Sequence, residues 1–169
     1  MYRWNKINPA KRKICLAAAI CLLSIPVAYW AIHAVYSAQG VSRHVPPGFI
    51  SKEEHFDPGG FQDYTDYCKY RYASMEPFQR DDRYHEISSD EGAVTVAGYF
   101  EDFTGWMRAG NRLNEYDFDT ACINQGDYVL ILTKEGQAIG NSAYGKYDHY
   151  SVYFFDAESL TLYYIHNNI

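Results

Sequence analysis

The chain of 169 residues reads as an N-terminal transmembrane helix followed by a small α+β domain, with two helices packed on an antiparallel β-meander. Three observations predict this class. Residues 14–36 (ICLAAAICLLSIPVAYWAIHAVY) contain no Asp, Glu, Lys or Arg. The chain is purely basic before this stretch and strongly acidic after it. Near the C-terminus, two runs alternate apolar and polar residues around a short polar link, as half-buried strands do.

Residues 1–13 carry Arg3, Lys6, Lys11, Arg12 and Lys13 without an acid. A helix over residues 14–36 would be about 34 Å long at the usual rise per residue. A hydrocarbon core of ~30 Å is spanned by that length. All 21 acidic residues follow it, with only ten of the 15 Lys and Arg, a net charge near −11. Under the positive-inside rule the tail stays in the cytoplasm and the acidic domain is exported, anchored in the lipid bilayer through residues 14–36. Tyr29, Trp30 and Tyr36 suit the outer interface. The stretch exceeds the apolar run of a cleaved signal, and the alternative is secretion after a cut near Ser37. An acidic domain also excludes nucleic acid as a partner.

Residues 37–56 mix Gly, Pro46-Pro47 and charge without a period and read as a stalk, so the domain proper spans 57–169. Asp57-Pro58 suits a helix start, and Phe61, Tyr64, Cys68 and Tyr72 share one helical face. Cys68, Tyr70 and Tyr72 also alternate as a strand would; helix is preferred. Residues 74–87 read as a loop. Ser88-x-x-Glu91 is a capping-box pattern opening a second helix, with Val96, Phe100, Phe103 and Met107 as its stripe and Gly110 at its end. Residues 127–134, 149–156 and 160–166 read as strands, the last two a hairpin through 156–159. A helix followed by such a meander resembles cystatin-like and NTF2-like domains in outline.

Cys68 and Cys122 are the cysteines of the exported part, and in an oxidising compartment they are expected to form a disulfide. His149 and His166 begin and end neighbouring strands and should meet at one end of the sheet, where they can move a proton. Asp117 and Asp119 can present two carboxylates from an extended segment. These four are the candidate catalytic residues. Most of the 17 tyrosines lie in the exported part; Tyr147, Tyr150, Tyr153 and Tyr163 are the candidate binding residues, since Tyr joins an apolar face to a polar tip. No histidine spacing matches a zinc motif, and no phosphate loop, nucleophile elbow or H-E-x-x-H occurs. No metal or cofactor is implied. The preferred function is a single-pass membrane protein whose exported domain is a non-enzymatic binding or accessory module for a protein or cell-envelope polymer. The alternative is a small membrane-tethered hydrolase using the acids or the histidines.

Overall fold

The computed structural model describes residues 41, 43–57, 64–133, 136–137 and 149–168. The basic tail, residues 14–36 and Tyr147 lie outside them. Among the described residues no helix is long and apolar enough to cross a membrane.

An antiparallel sheet carries the domain. Its strands are β1 (Ser51–His55), β2 (Tyr64–Arg71), β3 (His85–Glu86), β4 (Tyr128–Thr133), β5 (Gly136–Gln137), β6 (His149–Asp156) and β7 (Thr161–Asn168). Six strands run in the order β1-β2-β7-β6-β4-β3, and β5 pairs with β4. Two α-helices accompany them, a short α1 (Glu76–Arg80) and a long α2 (Asp90–Ala109).

Side chains alternate across a strand, so register decides what shares a face. Tyr67 pairs with Ile165, and Ile165 with Val152. This row lies on the face that packs with Val96, Tyr99, Phe100, Phe103 and Met107 of α2 in the main core. The next row, Cys68, Tyr164 and Tyr153, points to the opposite face. That face is buried as well: Cys68, Tyr70, Leu130, Tyr153, Phe155, Leu162 and Tyr164 are all at most 4% exposed. Phe78 of α1 stacks on Phe155 at a centroid distance of 3.8 Å, and Tyr72 and Tyr84 meet Phe78 edge-on.

Two-sided burial explains the main departure from expectation. The segment read as a first helix is strand β2, paired along both edges with β1 and β7. Its tyrosines fit helical and strand periods alike. Long-range pairing that buries Tyr67 on one face and Cys68 and Tyr70 on the other outweighs the local pattern. Residues 74–87, expected as a loop, hold α1 and β3. Of the segment expected as a stalk, residues from His44 onward belong to the compact unit His44–Ile169, and residues 51–55 form its edge strand. Tyr72 donates its hydroxyl to the Pro46 carbonyl (2.7 Å), and Tyr84 donates to that of His44 (2.9 Å).

Helix α2 falls where its stripe predicts, with different ends. Ser89, not Ser88, is the N-cap, and its hydroxyl accepts from the Gly92 amide at 3.1 Å. At the C-terminus Gly110 stays right-handed and Asn111 takes the left-handed turn (φ 56°). The Asn111 amide bonds the Arg108 carbonyl and the Arg112 amide that of Met107, a Schellman closure. Arg112 then ties this end to the sheet. It donates to the Thr65 carbonyl at 2.9 Å and pairs with Asp57 at 2.8 Å.

Candidate functional site

The β6–β7 register sets His166 opposite Ser151 and His149 opposite Asn168. The two imidazoles do meet at one end of the sheet, with centroids 5.0 Å apart and rings nearly perpendicular. Ser151 Oγ and His166 Nδ1 are hydrogen-bonded at 2.7 Å, and His149 Nδ1 and Asn168 Oδ1 at 2.6 Å. Burial, reinforced by the neighbouring His149, pushes the His166 imidazole down to about 4. It is therefore neutral at pH 7, and the same shift makes it a weak base towards the Ser151 hydroxyl. Ser151 escaped the sequence reading; the signal that finds it is its cross-strand position opposite His166. No group of three or more His, Cys, Asp and Glu suited to a metal ion occurs among the described residues.

Asp117 and Asp119 do different jobs. Asp119 caps a 3-10 turn (Thr120–Cys122), accepting from the Ala121 amide at 3.0 Å. Asp117 accepts from the Tyr67 hydroxyl at 2.7 Å and from Lys69 Nζ at 2.8 Å. Partial burial pushes the Asp117 carboxyl up, but those two donors outweigh it and leave it below its ordinary range. It is a committed anion that holds its loop to the sheet. Tyr67, in turn, is raised by burial and by Asp117 and stays a phenol.

The tyrosines expected on a recognition surface are largely core. Tyr150 is 0% exposed under α2 and donates to Asp102 at 3.0 Å. Tyr153 is 2% exposed on the opposite face. Covering both faces of the central strands buries both alternating sets, so tyrosines there pack instead of displaying. Of these residues, Tyr163 borders an opening.

That opening is a groove of about 350 Å³ on the α2 side of β1, β2 and β7. Two cross-strand rows build its floor. Ser51, Arg71 and Thr161 form one, and Glu53, Lys69 and Tyr163 the next. Asp117 and Ser159 close it at the sides. Between Ser159 and Thr161, Leu160 holds a left-handed backbone (φ 55°), a conformation costly for a branched side chain. Lys69 Nζ is bracketed by Glu53 at 2.9 Å and Asp117 at 2.8 Å. Burial pulls its ammonium down, yet both carboxylates outweigh this and hold it protonated. Lys52, which also lines the groove, pairs with Glu54 at 2.7 Å. Arg71, exposed at the groove, has no ion-pair or hydrogen-bond partner for its side chain among the described residues.

The expected disulfide is corrected. Cys68 and Cys122 are free thiols. Cys68 sits on the sheet face away from α2, whereas Cys122 packs against the core on the α2 side, so the sheet stands between them. Burial pushes the Cys122 thiol up to about 12, with Asp156, Asp127 and Asp119 adding to it, and burial likewise raises Cys68. Neither is poised as a nucleophile.

No family model, curated protein or solved structure matches the chain.

Proposed function

We propose that His44–Ile169 is a non-enzymatic binding module, held on the outer side of a membrane by residues 14–36, and that the groove over β1, β2 and β7 takes its ligand. The observation carrying this reading is the Arg71 guanidinium beside three hydroxyl side chains in an opening whose two lysines are already matched by carboxylates. A cell-envelope polymer is the ligand type such an edge suits, since the groove is open along the strands. The full-length protein in detergent should be retained on insoluble envelope polymer from its own cells. Ser51→Trp, a bulky change on the exposed edge strand, should release it; retention unaffected by that change would remove the groove from the function. The basic tail and the charge-free stretch support the topology. Val94 is 70% exposed on α2, while both domain thiols are suppressed. A Val94→Cys variant should therefore react with a membrane-impermeant maleimide on intact cells, and labelling only after lysis would reverse the orientation.

The hydrolase reading draws on one observation, the 2.7 Å bond between Ser151 and the neutral His166. It requires that the purified protein cleave a simple ester and that Ser151→Ala abolish the cleavage. Against it, His166 is only 8% exposed.

A further inference from the structure

We infer that the groove over β1, β2 and β7 recognises an acidic sugar, with Arg71 receiving the oxyanion and the surrounding hydroxyls and Tyr163 receiving the ring. This rests on the binding-module reading and specifies the chemistry of its site. The domain carries a net charge near −11, so most of its cations are expected to be occupied. The groove follows this rule at Lys52 and Lys69, which face Glu54 and the Glu53/Asp117 pair. Arg71 departs from it: with Lys52 matched by Glu54, Lys69 and Arg71 stand against Glu53 and Asp117, and both of those carboxylates are turned to Lys69.

Register makes this a site and not a stray surface charge. Arg71 is the central member of a three-strand row, with Ser51 on one side and Thr161 on the other. A planar guanidinium donates two parallel hydrogen bonds to a carboxylate or phosphate, and the Ser51 hydroxyl beside it can add a donor to the same oxyanion. Ser159 and Tyr163 lie one step along. Thr161 Oγ1 donates to the Ser159 carbonyl at 3.2 Å, which uses its one proton and leaves it acceptor capacity only. Tyr163 is half-buried, presenting part of a ring at the groove. Hydroxyls that donate and accept, a ring for an apolar face and one cation match a hydroxylated ring bearing one acid group. At about 350 Å³ the opening falls in the range of small-molecule sites.

The test is calorimetric titration of full-length protein in detergent with glucuronate, glucose 6-phosphate, glucose and inorganic phosphate at one ionic strength. At least one acidic sugar should bind, at least tenfold tighter than glucose and tighter than phosphate alone. Which of the two binds identifies the oxyanion as carboxylate or phosphate. Arg71→Gln should weaken that binding tenfold or more with an unchanged melting temperature, and Arg71→Lys should restore part of it. Glucose binding as tightly as the acidic sugars, or indifference to Arg71→Gln, would overturn the assignment. In that case the groove reading stands if Ser51→Trp still abolishes binding, and falls with it if that variant binds normally. Failure of all four probes overturns the acidic-sugar assignment alone when Ser51→Trp still releases the envelope polymer.

Discussion

His166 shows how one side chain turns burial into a pH dependence. Its imidazole lies between the Tyr64 ring (5.1 Å) and the Tyr164 ring (6.4 Å, parallel), with Ser151 on Nδ1. Its folded value of about 4 lies below the ordinary 6.5, so the unfolded chain binds the extra proton between these limits. Stability therefore rises with pH across that window and is lost as pH falls from 6.5 towards 4. The expected cost to the wild type is about 2 kcal/mol at pH 5 relative to neutral pH. Urea unfolding at pH 7 and pH 5 should show this loss shrink in His166→Gln; an equal loss in both proteins would assign the acid sensitivity elsewhere. The meeting of His149 and His166 was legible, since a hairpin with a short link must bring its two outer ends together. Ser151 was not, because its role depends on which residue of β7 stands opposite.

At the scale of elements, α2 and the β6–β7 hairpin were the legible parts. Both are dictated locally, by an apolar stripe from Val96 to Met107 and by alternation around an Asx turn. In that turn Asp156 Oδ1 accepts from the Glu158 and Ser159 amides. Strand β2 was misread because Tyr suits both periods, and only its pairing with β1 and β7 selects the strand. The helix also carries an unneeded weakness. A Cβ added at Gly105 meets nothing within 4 Å, and the residue is exposed. Gly105→Ala should therefore stabilise the domain by about 0.5–1 kcal/mol through helix propensity and the less flexible unfolded chain. A lower melting temperature for that variant would mean that Gly105 meets something beyond the described contacts.

The unit His44–Ile169 is built on a sheet whose two faces are both buried at its centre, and this single feature redirects several functional expectations. Tyrosines expected to display a surface become core, and cysteines expected to pair become separated. The acids expected to act together are spent on a loop anchor and a turn cap. The groove proposed to take a ligand lies over β1, β2 and β7, beside Asp117. Its composition was not readable from any local window. Ser51, Arg71 and Thr161 are far apart in the chain, and only the register of two strand pairs lines them up.

The sheet standing between Cys68 and Cys122 has a practical side. A fold that keeps its two thiols on opposite sides of a sheet gains nothing from an oxidant. A bond made between them in the unfolded chain would have to be undone before the sheet could close. An oxidising compartment therefore sets this domain a hazard that a reducing one does not.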